Sequence, residues 1–387
     1  MDFYYDFLTP VNANILQFVS ELPQGTIGKN IKIIQESTET ELHPKSIVLL
    51  GVPEDRGAIR NEGAGKDLDS FRKEFYALYS GNWTGIIYDF GDLKVGESFQ
   101  DTLVIVQEIV VSLLRSNQIP VIIGGSQALT YAIYRAYDQM EKRVNLTAID
   151  AKFDLGMLEN PLDSASYLTK IIMDKPNNLN NYTNLAYQTF LNAQDEIHLM
   201  DGLLFDTYRL GNLKKDIELS EPVLRETDLL SIDIGVVRAA DAPANCNKMI
   251  SGLNADEICQ ISRYAGLSDK LNIFSIFEYN SKYDIHNQTA QLIAQMVWYF
   301  IEGVHLRKPE FPNVDLNGFK KYIVMIDDET YQFYKSESSE RWWMEISLKE
   351  DNKIKRQTLI PCTYNDFLTA NRLEIPERWY INRRKLG

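Results

Sequence analysis

Between about residue 45 and residue 305 of this 387-residue chain, short apolar runs alternate with longer amphipathic segments. Ser46-Ile-Val-Leu-Leu-Gly51, Ile86-Ile-Tyr-Asp89, Pro120-Val-Ile-Ile-Gly-Gly125, Val144-Asn-Leu-Thr-Ala-Ile-Asp150, Asp228-Leu-Leu-Ser-Ile-Asp233 and Asn272-Ile-Phe-Ser-Ile-Phe-Glu278 have the length and composition of strands. Between them Val106, Ile109, Val110, Leu113 and Leu114 recur at helical spacing. Helices are also predicted over 127–140, over 255–267 with Asn254 as N-cap, and over 288–304. Strands that are apolar throughout need cover on both faces, and intervening helices impose parallel pairing. The expected fold class is therefore α/β, a doubly wound parallel sheet in three αβα layers with a small appended C-terminal unit. Ligands of such sheets bind beyond the carboxyl ends of the strands. Three predicted strands end there in an acid: Asp150, Asp233 and Glu278.

The same pattern divides the chain. Residues 1–45 precede it as an N-terminal arm, 46–307 carry it, and 308–387 form a C-terminal extension that opens at the Lys308-Pro-Glu-Phe-Pro312 break. Within the extension, 321–326 and 342–346 have strand character. Trp342, Trp343, Trp379 and Tyr380 must lie against something, since burying each is worth ~1.5–3 kcal/mol. Two occupants stay open: the parent domain itself, or a second polypeptide (a partner or another copy) met through Arg378, Arg383, Arg384 and Lys385. Taken alone, the basic tail reads as a frayed, solvated end.

Composition narrows the partners. Forty Lys+Arg against fifty-four Asp+Glu leave a net charge of −14. Such a surface repels nucleic-acid phosphates and anionic lipid, so neither nucleic acid nor membrane is expected as a partner. The most apolar helical stretch, 289–304, contains Gln291, Gln295 and Glu302 and is too short and polar to span a bilayer. No basic residue precedes Lys29, unlike a signal peptide, and a cytoplasmic protein is expected. Cys246, Cys259 and Cys362 form no Cys-x-x-Cys pair, which fits a reducing compartment. Cys246 and Cys259 read as small buried hydrophobes. The four histidines, His43, His198, His286 and His305, all fall away from predicted strand ends.

Three segments do fall at strand ends: Gly124-Gly-Ser-Gln127, Asp150-Ala-Lys-Phe-Asp154 and Ser231-Ile-Asp-Ile-Gly235. Together they resemble the metal-binding motifs of the ureohydrolases, the arginase, agmatinase and formimidoylglutamase family. Those motifs are Gly-Gly-Asp/Ser-His, Asp-Ala-His-x-Asp and Ser-x-Asp-x-Asp. Gly51-Val-Pro-Glu-Asp-Arg-Gly57 with Asn61 and Gly63 resembles the family's first-strand loop. Phe277-Glu-Tyr-Asn280 with Asp284 is similar to the segment whose glutamate faces the substrate's amidino group, and Ser164-Ala-Ser-Tyr167 to the serine loop of formimidoylglutamases. The resemblance spans roughly 46–305 and implies an arginase-like fold of formimidoylglutamase type. It also implies that Glu278, Ser164 and Ser166 could face a ligand.

The family's chemistry uses two manganese ions whose bridging water is acidified enough to supply hydroxide at neutral pH. Six positions, four aspartates and two histidines, hold the ions. Carried over by the resemblance, these positions are Gln127, Asp150, Lys152, Asp154, Asp233 and Gly235, so both histidines and one aspartate are replaced. The first ion's set would be Gln127, Asp150, Asp154 and Asp233, and the second's Asp150, Lys152, Asp233 and Gly235. A lysine ammonium accepts no metal, and glycine has no side chain. Lys152 is expected to act as an internal cation in place of the second ion. Three carboxylates and one ammonium leave two negative charges, which one divalent ion would balance. The expected cofactor is none, or one weakly held Mg²⁺, Ca²⁺ or Mn²⁺ at the all-oxygen first position. The expected function is a non-catalytic binding or scaffold protein (a pseudoenzyme). The alternative is a one-metal hydrolase of a linear amidine or formimino C–N bond.

Overall fold

The computed structural model describes residues 5–35, 42–157, 159, 161–310, 312–313, 315–350 and 353–386. Residues 1–4 and 36–41 of the expected arm, and Phe311 in the expected break, lie outside the described residues.

The apolar runs become the middle of a ten-stranded sheet. In chain order the strands are β1 (Leu8–Thr9), β2 (Lys32–Ile33), β3 (Ile47–Val52), β4 (Ile87–Leu93), β5 (Ile119–Gly124), β6 (Val144–Ile149), β7 (Leu179–Tyr187), β8 (Asp206–Arg209), β9 (Leu229–Asp233) and β10 (Ile273–Phe277). Their spatial order is β1-β4-β3-β5-β10-β9-β6-β7-β8, with β2 on β4. Every pairing is parallel except that of β1 with β4. The expected parallel sheet is thus mixed at one edge, because the arm returns alongside β4 in the opposite sense.

Alternate residues of each central strand feed opposite faces. Ile47, Leu49, Val121, Ile123, Leu230 and Ile232 pack under the helices Asp69–Ala77, Ala255–Leu267 and Gln288–His305. Val48, Leu50, Ile122, Leu146, Ala148 and Leu229 pack under Phe99–Arg115, Leu129–Gln139 and Tyr167–Met173. Arm residues Val11, Ile15 and Ile27 join the first of these cores. The helix Ala255–Leu267 starts at Asn254, whose side chain accepts from the Glu257 backbone N–H while Glu257 reaches back to Asn254.

The segment 308–387 builds a separate antiparallel sheet from β11 (Phe319–Ile326), β12 (Glu329–Ser336), β13 (Trp342–Glu350) and β14 (Lys353–Cys362), in that spatial order. Helices Tyr364–Asn371 and Glu377–Leu386 follow. The tail expected to fray is the second of these helices, and the reason is contact. Trp379 is buried against Tyr331, Arg383 lies 4.8 Å over the Trp379 ring, and Lys385 Nζ reaches Asp206 at 2.5 Å. Of the four aromatic residues singled out from sequence, Trp342, Trp343 and Trp379 are buried within the chain and Tyr380 is half exposed. Among the described residues no helix is long and apolar enough to cross a membrane.

Candidate functional site

Four neighbouring strands of the main sheet, β5, β10, β9 and β6, converge on one place. Their register aligns Gly124 with Val52, Ile276 with Ile123, Phe277 with Asp233, and Ile149 with Ile232. The residues just beyond these ends are therefore neighbours: Gln127 after β5, Glu278 after β10, Asp233 at the end of β9 and Asp150 after β6. Asp154 closes the loop after β6. The loop after β5 runs tight against the first-strand loop. A Cβ on Gly125 would sit 2.1 Å from the Glu54 carbonyl oxygen, so only glycine passes there. Gln127, Asp150, Asp154 and Glu278 are buried, and Asp233 is half-buried. Asp154 (φ +54°) and Glu278 (φ +63°) hold left-handed backbone conformations, which are uncommon for residues other than glycine.

Glu278 is held on both oxygens. Oε2 accepts from Asn61 Nδ2 at 2.8 Å and Oε1 from the Gln127 backbone N–H at 2.9 Å. Asn61 is in turn fixed by Asn280, whose Nδ2 donates to its Oδ1 at 3.2 Å. Asp150 Oδ1 accepts from the Lys152 backbone N–H at 2.9 Å. Asp233 Oδ1 accepts from the Gly235 backbone N–H at 2.7 Å and faces Asn245 Nδ2 at 3.4 Å. Asp150 Oδ2 and Asp154 Oδ2 are buried with no hydrogen-bond partner.

Four acids packed this closely hold on to protons. Burial raises the pKa of Asp150, with the Lys152 backbone N–H opposing the rise. Burial and then repulsion from Asp150 drive Asp154 and Asp233 well above the ordinary carboxylate range. Burial pushes Glu278 up to about 7, against the hydrogen bonds from Asn61 and Gln127. Strong desolvation combined with specific charged neighbours is the electrostatic mark of a functional pocket.

Lys152 departs from expectation. Its side chain is exposed rather than internal, and among the described residues it forms no ion pair. Its main chain is anchored locally, the backbone N–H serving Asp150 and the carbonyl accepting from Asn184 Nδ2 at 2.8 Å, while its exposed ammonium still attracts all four acids and opposes the rise of their pKa values. The serines serve loop structure. Ser164 Oγ accepts from the Ile59 backbone N–H at 3.2 Å, and Ser166 Oγ from that of Asp163 at 3.1 Å. Cys246, read as a buried hydrophobe, is exposed on the loop after β9, and Cys259 is buried. His43, His198 and His286 are exposed, while the His305 ring accepts from the Gly85 backbone N–H and stacks on Trp83. The residue that sequence reasoning missed is Asn245. No motif marks it, and only the fold of the loop after β9 brings its amide to Asp233.

This geometry agrees with what comparison finds. The arginase family profile matches residues 45–302, two thirds of the chain. The chain belongs to the arginase family. Its similar relatives include the formimidoylglutamase of Corynebacterium efficiens, 25% identical over 324 residues that cover 75% of this chain and 98% of the relative. That of Staphylococcus haemolyticus is 23% identical over 288 residues, 69% of this chain and 89% of the relative. Among solved structures, Trypanosoma cruzi formiminoglutamase with Mn²⁺ superposes with a TM-score of 0.63 at 19% identity, over 68% of this chain and 95% of that one.

Set against the arginase-family motifs, the pocket has two unlike sides. On the side of Gln127, Asp150 and Asp154, two carboxylate oxygens lie buried and unpartnered. On the side of Lys152 and Gly235, one side chain is an exposed ammonium and the other does not exist. Among the described residues, no group of three or more His, Cys, Asp and Glu side chains is arranged so as to hold a metal ion. Of the six family positions, Lys152 and Gly235 offer no metal-ligating side chain.

Proposed function

We propose that this arginase-family chain serves by binding rather than by turnover, having given up the two-manganese centre. The observation that carries the reading is the second ion's ligand set. Of Asp150, Lys152, Asp233 and Gly235, only the two aspartates could donate, since lysine presents an ammonium and glycine no side chain. Losing even outer-shell partners weakens such sites ~10–100-fold, and two direct ligands count for more. Without an ion-bound hydroxide the nucleophile is water of pKa near ~16 instead of about 7, so hydrolysis at neutral pH loses its main driving term. The ligand is then either a small molecule in the pocket or a protein met through 308–387.

A second reading is favoured by the unpartnered Asp150 Oδ2 and Asp154 Oδ2: one divalent ion held with Gln127 and Asp233, supporting a one-metal hydrolase of an amidino or formimino compound. Elemental analysis of purified protein dialysed against dilute Mn²⁺, with assays on arginine, agmatine and formimidoylglutamate, separates the two. The binding reading expects fewer than two equivalents and no turnover. Two tightly held equivalents would refute it, and turnover abolished by EDTA with one equivalent bound would establish the rival.

A further inference from the structure

We propose that Asn245 closes the place of the second ion. This rests on the reading above and gives it a structural cause that a change at 152 or 235 alone could not undo. Gly235 is not glycine for the sake of its backbone, since its φ lies outside the left-handed region and any L-residue could adopt it. What crowds it is a side chain. A Cβ at 235 would lie 3.0 Å from Asn245 Nδ2 and 3.1 Å from Asp233 Oδ1, inside ordinary contact distance.

The amide is not free to swing away. Asn245 is 1% exposed, and its Oδ1 accepts from the Asn247 backbone N–H at 2.6 Å. That bond also fixes which end of the amide is which, leaving the NH₂ donors toward Asp233. The loop that carries it is tied at its base, with the Arg238 N–H donating to the Leu253 carbonyl at 3.0 Å and the Ala239 N–H to that of Met249 at 2.6 Å. The donor end of a neutral amide thus stands beside the Asp233 oxygen that would otherwise face a cation. Such donors repel a divalent ion and cannot ligate it. Across the pocket, Asp150 Oδ2 and Asp154 Oδ2 accept no hydrogen bond at ordinary distance, although the Gln127 amide still acts on Asp150, so the two sides are closed unequally.

The test is a double-mutant cycle on the full chain, read by thermal melting, with Mn²⁺ spectroscopy beside it. Gly235→Ala should lower Tm by a few degrees in the native background. In an Asn245→Ala background the same change should leave Tm unchanged or raise it, because replacing glycine restricts the unfolded chain. Equal effects in the two backgrounds overturn the proposal. In the second arm, Lys152→His with Gly235→Asp should fail to show the multiline EPR spectrum of an exchange-coupled Mn²⁺ pair. Adding Asn245→Ala should produce that spectrum and a second equivalent bound ~10-fold more tightly. A coupled pair in the double variant, or none in the triple, overturns the proposal. Two Mn²⁺ equivalents in the unaltered protein would instead overturn the functional reading, an outcome the melting cycle cannot mimic.

Discussion

The pocket and the junction with the C-terminal unit both bury charge, and they settle it in opposite ways. At the junction Arg225 donates from Nη1 to the Trp342 carbonyl at 3.0 Å and from Nη2 to the Cys362 carbonyl at 2.9 Å, while its Nε pairs with Glu221 at 2.9 Å. Its guanidinium lies 4.6 Å from the Trp343 ring. Nearby, Arg341 donates to the Leu267 carbonyl at 2.9 Å, and Arg378 to that of Leu219 at 3.3 Å. These cations from both units spend their donors on carbonyls across the seam, which gives the seam one register. In the pocket, four acids share no buried cation and two oxygens have no partner. At the junction Arg225 Nε and Arg378 Nε make ion pairs without hydrogen bonds, but each cation there has an acid beside it, and a charge so paired holds a structure together. One left unsatisfied costs stability and persists where the site has, or had, a ligand.

The comparison can be broken most directly at the junction. Arg225→Ala strands two carbonyls and leaves Glu221 with Arg341 alone, and breaking a buried pair typically costs ~3–5 kcal/mol. We expect a large drop in Tm, and truncation after residue 307 should aggregate the protein by exposing the same seam. A truncated chain as stable and monodisperse as the full one would mean that the seam contributes nothing.

The pocket should respond with the opposite sign. Asp154→Asn removes a buried charge at a left-handed position that asparagine tolerates, so metal-free protein at pH 8 should gain stability, by about 1–3 kcal/mol. A loss of that size would show Asp154 to be as well partnered as Arg225. The pH dependence follows the same logic. Asp150, Asp154, Asp233 and Glu278 all have raised pKa values when folded, about 7 for Glu278, so the native state keeps protons that the unfolded chain releases above the ordinary carboxylate range. The native state binds more protons in that window, and stability therefore falls as pH rises through it. In EDTA, Tm should be lower at pH 8 than at pH 5.5, and Asp154→Asn should flatten the fall. A pH-independent Tm would contradict the cluster.

The smallest effect is expected at Lys152. Its side chain is exposed, and surface substitutions usually change stability by less than about 0.5 kcal/mol. A marked loss in Lys152→Ala would mean that the ammonium's attraction for the four acids outweighs solvent screening, which would narrow the contrast with the junction.

Much of this molecule was settled by local sequence. The largely apolar runs at 47–52, 119–124, 144–149, 229–233 and 273–277 read as covered strands, and their spacing by helices imposed parallel order. Parallel pairing puts Gln127, Asp150, Asp233 and Glu278 at one edge of the sheet, and the strand order β5-β10-β9-β6 makes them neighbours. Tertiary structure decided the rest. The strand Leu179–Tyr187 contains Asn180, Asn181 and Asn184, a poor strand composition, and exists because β6 offers it a free edge. The basic tail becomes a helix because Asp206 and Tyr331 give it contacts. How the Lys152 main chain is held, and whether an amide stands where an ion could, turn on bonds to Asn184 and Asn247, residues 32 and two positions away. The periodicity of a chain fixes which backbone segments must be neighbours. Which way a polar side chain turns at their junction is a matter of single hydrogen bonds, and those are chosen only after the fold is closed.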